Sequence, residues 1–205
     1  MSRSLQDLIP GLREADEEYR NLALEAFAGV EPKIAGVIEI LPLTARMLLE
    51  LEGAECALVT GCGRAADETD VALFLWRCSP HYERGNETLR RFFIGSLAPI
   101  PFGLARDDIL AYLERALAGM PLVKNSSSAA SGVSAWPSHL VHLLAKEYGW
   151  SEEYILDLPL RRLFQYVNRI LESKDPDYRE RSQKSMELRR RYLLNASTPA
   201  EAARN

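Results

Sequence analysis

The sequence predicts a mainly α protein: a helical N-terminal core with one short strand or extended segment, a Ser-rich linker and a C-terminal helical module. Three observations lead there. Apolar residues recur at a period of about 3.6 over most of the chain. The periodic segments stop at Gly or Pro, where helices end. One stretch, "KNSSSAASGVS" at 124–134, has almost nothing to bury. The expected organisation is a core domain at 1–122, a flexible linker at 123–135, a helical module at 136–195 and a frayed tail at 196–205.

Each element follows in order. "EADEEYRNLALEAFAG" puts Tyr19, Leu22, Ala23, Ala26 and Phe27 on one helical stripe that stops at Gly29. In "EPKIAGVIEILP", the β-branched Ile34, Ile38 and Ile40 partly alternate, which predicts the short strand or extended segment. "LTARMLLELEG" aligns Leu43, Met47, Leu48 and Leu51, with Gly53 at its end. "CALVTGCGRAADE" is a short apolar run followed by a Gly-rich loop. "TDVALFLWRCS" is apolar on nearly every side from Val71 to Trp76, so this helix belongs at the centre of the core, and Pro80 ends it. "GNETLRRFFIGSL" aligns Leu89, Phe92, Phe93 and Leu97. "RDDILAYLERALAG" aligns Ile109, Leu110, Leu113, Ala116 and Leu117, with Asp107 and Asp108 in a first turn that favours carboxylates. Beyond the linker, "PSHLVHLLAKEYG" and "SEEYILD" precede "PLRRLFQYVNRILES", whose stripe is Leu160, Leu163, Phe164, Val167 and Leu171.

Bulk properties narrow the function. A net charge of −4 argues against attraction of the whole surface to nucleic acid or anionic lipid. No apolar run approaches the roughly 20 residues that span a bilayer. The start, "MSRSLQDLIPGLREADEEYR", turns acidic and lacks a secretory apolar region. Three cysteines cannot all pair within one chain. Together these favour a reducing, cytoplasmic setting.

Candidate chemistry is sparse. The segment "AKEYGWSEEYILDLPLRRLFQYVNRI" has Ala145, Gly149, Ile155 and Leu158 near the spacing of a helix-turn-helix. Its second helix would begin at Ser151, carry Glu152, Glu153 and Asp157 toward phosphates, and stop at Pro159. The Ala–Gly spacing is better explained by two helices meeting at a small-residue corner, with Ser151 as N-cap. Cys56, Cys62, Cys78 and His81 could supply four metal ligands, but they lack the close Cys pairs of zinc sites. Cys56 and Cys78 are expected as small core residues, and no metal is expected. His139 and His142 fall off the Leu140, Leu143, Leu144 face and are expected in solvent. "TGCGR" lacks the ending of a phosphate loop, and "GVSAW" lacks the second glycine of a nucleophile elbow. No catalytic set, no cofactor and no enzyme activity is expected.

The C-terminal part tilts basic. From Arg161 to Arg191, ten Arg and Lys stand against five carboxylates. The helix expected from Pro176 to Leu194 carries Tyr178, Met186, Leu188, Tyr192 and Leu193, which do not form one clean line. A helix with so thin a stripe gains little by packing on its own protein. It makes more sense covered by a partner, with Arg189, Arg190 and Arg191 as a polar rim.

Two places resemble the tail assembly chaperones of tailed bacteriophages and prophages. One is "EILPLTARMLLELEGAECALVTG" followed by "TDVALFLWRCSPHY", with its Pro-Leu-Thr helix start, Leu-rich helix, short break and Asp-led apolar helix ending near Ser-Pro. The other is "YGWSEEYILDLPLRRLFQYVNRI", similar to a Gly-Trp-Ser, acidic pair, Leu-Pro-Leu segment near the ends of small phage tail proteins. Together they cover somewhat under a third of the chain. The resemblance implies a non-enzymatic protein of the bacterial host cytoplasm that binds the tape measure protein, or another tail protein, during tail morphogenesis. Self-association stays open. A DNA-binding or regulatory protein using 136–172 and a small virion structural protein are the alternatives.

The linker expectation has a direct check. Residues 124–134 lack apolar anchors, so brief proteolysis should cut there first and leave two resistant fragments. Resistance across this stretch would remove it as a linker.

Overall fold

A computed structural model describes residues 9–28, 32–60, 63–120, 136–174, 187–188 and 191. The mainly α expectation holds. Nine helices and one two-stranded sheet run among the described residues in the order α1 (Leu12–Ala28), β1 (Lys33–Ile34), β2 (Ile38–Glu39), α2 (Ala45–Gly53), α3 (Ala57–Thr60), α4 (Glu68–Cys78), α5 (Glu87–Ser96), α6 (Phe102–Leu117), α7 (Trp136–Tyr148), α8 (Glu152–Asp157) and α9 (Leu160–Lys174). No helix among them is long and apolar enough to cross a membrane.

The expected strand is a small antiparallel hairpin that pairs Lys33 with Glu39 and Ile34 with Ile38. Its turn has Ala35 and Gly36 both at positive φ (51° and 70°), and Val37 N–H donates to Ile34 O at 3.2 Å. Positive φ at both central residues is the primed turn geometry that matches strand twist. Ile34, Ile38 and Ile40 all point into the core. The hairpin is held from outside by Asp108, whose Oδ2 accepts from Ala35 N–H at 2.8 Å. That corrects an expectation: α6 begins at Phe102, so Asp107 and Asp108 lie past its first turn. Asp108 caps the hairpin, not its own helix.

Helix α4 occupies the centre, as its all-round apolarity predicts. Val71, Phe74, Leu75, Trp76 and Cys78 are buried. Its start is a reciprocal capping box, with Asp67 accepting from Asp70 N–H and Asp70 accepting from Asp67 N–H. Asp70 does more than cap. Its buried carboxylate also accepts from Ala57 N–H at 2.9 Å and pairs in fork fashion with Arg64 at 2.5 and 2.7 Å. One side chain thus joins α3, the loop before α4 and α4 itself. The Arg64 guanidinium holds the carboxyl well below the usual aspartate range. Across α4, Arg77 is buried against Glu50, an ion contact off the line of a hydrogen bond, and its guanidinium lies 4.2 Å from the Tyr82 ring centroid.

Helix ends follow local rules with two surprises. Glu55, past the end of α2, takes φ 54°, and Cys56 N–H reaches back to Leu51 O at 3.0 Å. The left-handed position therefore falls on Glu55 and not on Gly53. Gly149 closes α7 at φ 69°, and a Cβ there would meet nothing within 4 Å. Helices α7 and α8 do meet at this corner, but Gly149 is required there by backbone conformation and not by close approach. Ser151 caps α8 as expected, accepting from Tyr154 N–H.

Segments on the two sides of 123–135 share one apolar cluster, although that stretch itself lies outside the described residues. Leu140, Leu144, Ile155, Leu160, Phe164 and Val167 pack with Ile34, Leu43, Leu51, Phe74 and Ile109. Leu160 N–H donates to Leu43 O at 2.8 Å, Thr44 bridges Pro159, and Asn168 Nδ2 donates to Gly119 O at 3.0 Å. Arg46 forks onto Asp157. Two stripe residues fall elsewhere than expected: Phe92 is 77% exposed and Leu110 is 45% exposed. In α5, Leu89, Phe93 and Leu97 repeat every four residues, and that row turns Phe92 to solvent. On α1, Phe27 is half exposed, while the side chains of Tyr19, Leu22, Ala23 and Ala26 lie outside the described residues.

Two stability predictions follow from these contacts. Phe164 is fully buried, so Phe164→Ala should cost about 3–5 kcal/mol in denaturant unfolding. An unchanged midpoint would show the α9 stripe open to solvent. Asp70 has its proton affinity lowered by folding. Its contribution should be complete above the ordinary aspartate value of about 4 and be lost as pH falls toward the folded value. Asp70→Asn should lower stability at neutral pH by about 3 kcal/mol and flatten the acid side of the stability–pH curve. An unaltered acid limb would remove Asp70 as its source.

Candidate binding surface

Most of the C-terminal contact set lies outside the described residues: Tyr178, Met186, Arg189, Arg190, Tyr192 and Leu193. Two members are placed. Leu188 is half-buried, and its Cδ1 comes within 3.9 Å of where a Cβ at Gly11 would sit, beside the start of α1. Arg191 is exposed and pairs with Glu187 at 2.8 Å.

The structure brings together a different set. A cavity of about 360 Å³ opens between the β hairpin, α1, α6 and the first turn of α9. Four cations, Lys33, Arg115, Arg161 and Arg162, line it together with two carboxylates, Glu25 and Asp108. Tyr112 fixes one wall. Its hydroxyl accepts from Leu43 N–H at 2.6 Å and lies 3.4 Å from Leu41 O as donor. Burial pushes that phenol above its ordinary pKa, so it stays protonated. Arg115 is one turn further along α6. Arg161 and Arg162 sit in the first turn of α9, which carries no carboxylate, so two cations face the positive end of a helix.

Among the described residues, Glu25 is the carboxylate that pairs with Arg115 and Arg161. Its Oε2 lies 2.9 Å from Arg115 Nη2 and 3.6 Å from Arg161 Nη1. Burial lowers the pKa of Arg161, with Glu25 opposing that shift. Arg161 Nη2 and Arg162 Nε are buried with no hydrogen-bond partner among the described residues. Asp108 is already engaged by the hairpin, and Lys33 pairs with Glu39 at 3.2 Å.

An aromatic cluster adjoins this cavity. The Arg162 guanidinium lies 5.4 Å from the Phe27 ring, and Phe27 meets Tyr166 edge-on at 6.1 Å. Trp150 stacks on Tyr148 at 4.7 Å and meets Tyr166 and Tyr154 edge-on at 5.0 and 5.3 Å. Phe27, Tyr148 and Tyr154 each remain at least 40% exposed. Aromatic rings and arginines side by side are the chemistry of anchoring residues at protein interfaces. The sequence holds part of this signal, since Tyr148, Trp150 and Tyr154 fall within seven residues of one another. Phe27, Glu25 and Arg115 come from far away in the chain and could not be joined to it by spacing.

The other candidate ligands do not converge. Cys56 and Cys78 are buried core residues, and burial raises both thiols, Cys78 to about 12. His81, His139 and His142 are exposed, and Cys62 lies outside the described residues. Among the described residues no three His, Cys, Asp or Glu side chains gather as a metal site would need. Comparison with protein-family models, with curated proteins and with solved structures gives no match.

Proposed function

We propose that this chain is a non-enzymatic tail assembly chaperone of a tailed bacteriophage or prophage, acting in the host cytoplasm on the tape measure protein or another tail protein. The support from sequence is the pair of resembling segments at 39–61 with 69–82 and at 148–170. The structural observation that favours a protein partner is the exposed aromatic cluster of Phe27, Tyr148 and Tyr154 around Trp150, with Arg162 at its edge. Large rigid aromatics bind another protein at low cost in side-chain entropy. The C-terminal set of Tyr178, Met186, Leu188, Tyr192 and Leu193, rimmed by Arg189, Arg190 and Arg191, is the second part of the proposed contact surface.

The DNA-reading alternative draws on the same segment, but α8 presents exposed Glu152 and Glu153, while Asp157 is taken by Arg46. Carboxylates on the approaching element repel phosphates.

Co-expression with a tape measure protein tests the proposal. The full chain should keep that partner soluble. Removing 176–205, or combining Tyr192→Ala with Leu193→Ala, should abolish most of the effect, while Arg189→Gln should change little. A full chain that leaves partner solubility unchanged would end the chaperone reading. Sequence-blind retardation of duplex DNA at physiological salt would replace it with the nucleic-acid one. Recovery of the chain in purified virions would make it a structural component.

A further inference from the structure

We propose that the cavity between α6, α9 and the β hairpin is an oxyanion-binding site, in which the Glu25 carboxylate stands in for an external carboxylate or phosphate group. Three independent features point there.

The first is charge. Four cations and two carboxylates line the cavity; with Glu39 counted against Lys33, one positive charge remains in excess, in a chain whose net charge is −4. A local reversal of sign against the molecular field is a feature of anion sites. It is concentrated further by the α9 terminus, whose amides add partial positive charge behind Arg161 and Arg162.

The second is unmet bonding. One carboxylate oxygen of Glu25 serves both Arg115 and Arg161. Arg161 Nη2 and Arg162 Nε stay buried without an acceptor among the described residues. A guanidinium presents five donors in a fixed fork, and leaving buried donors unmet is unfavourable. An oxyanion with three or four oxygens could give Arg115 and Arg161 an acceptor each, where one glutamate oxygen is now shared between them.

The third is access. Glu25 is 42% exposed at its side chain, and Leu24 beside it is 66% exposed, so the stand-in anion lies at the mouth and not at the floor. A swing of its side chain opens the site without disturbing the core. Tyr112 and the hairpin form the opposite wall, held by main-chain hydrogen bonds to Leu43 and by Asp108. The site is therefore preformed on helices and a hairpin and closed by one partly exposed carboxylate. An incoming anion must displace Glu25, so its apparent affinity is reduced by the fraction of time that Glu25 is in place.

Calorimetric titration of the full chain, at fixed ionic strength set with chloride, tests this with two probes: inorganic phosphate and a hexaglutamate peptide. At least one should bind. Glu25→Gln should tighten that binding by about tenfold, because the competitor loses its charge. Arg115→Gln, at an exposed position that leaves the core intact, should weaken it by about tenfold. Thermal melts of each variant separate lost binding from lost folding. Tighter binding of phosphate assigns the site to a phosphorylated or phosphate-like small molecule. Tighter binding of the peptide assigns it to an acidic segment of a protein. Binding that is equal in wild type, Glu25→Gln and Arg115→Gln would overturn the proposal. So would weaker binding in Glu25→Gln, or no binding of either probe.

Discussion

Helix α9 carries five buried apolar side chains, Leu160, Leu163, Phe164, Val167 and Ile170, that its immediate neighbours in sequence cannot cover alone. Cover comes from α1 and α6 as well as from α7. Each large side chain taken fully from water contributes about 1.5–3 kcal/mol, so this stripe is a strong reason for the two halves of the chain to associate. Apolar burial is non-directional, and it does not choose a register by itself. The directional groups do. Leu160 N–H must find Leu43 O, and the buried Asn168 must find Gly119 O. A slip of one residue along α9 would break both and bury polar groups without partners.

The same constraint places the charged cavity. Once Leu160 is locked beside Leu43, Arg161 and Arg162 follow directly in the chain and line the cavity next to α1 and α6. The seam is lined with further ion pairs, but their value is unequal. Arg46 and Asp157 are both more than a third exposed and contribute orientation more than stability. Asp70, with a side chain 4% exposed and four donors around it, has much more at stake. Polar groups in this fold thus divide into those that fix register, those that close loops and those that stay under-satisfied around Glu25.

What could be read from sequence was local. The capped start at Ser151, the central placement of α4 and the buried stripe of α9 all depend on residues within a few turns. The start of α6 was misplaced because Pro101 begins that helix without a side-chain cap, which left Asp107 and Asp108 as the more conspicuous signal. Phe92 was misplaced because an i, i+3 match and an i, i+4 match compete in a short helix, and only packing decides. The cavity was illegible for a different reason. Glu25, Arg115 and Arg161 come from three helices, and each looks like an ordinary solvated charge on its own stretch of chain. Of the C-terminal contact set, only Leu188 and Arg191 belong to the described residues, and Leu188 turns toward Gly11.

Cys56 and Cys78 sit with no accessible surface, one after the left-handed turn that closes α2 and the other at the end of α4. Desolvation keeps both thiols protonated, and neither can meet a soluble electrophile while the core is closed. Alkylation at either position must wait for an opening of the surrounding helices. When reclosing is faster than chemistry, the modification rate measures the free energy of that opening. The chain therefore carries two internal clocks in neighbouring parts of its core. A difference between their rates would separate local fraying around α3 from cooperative loss of α4.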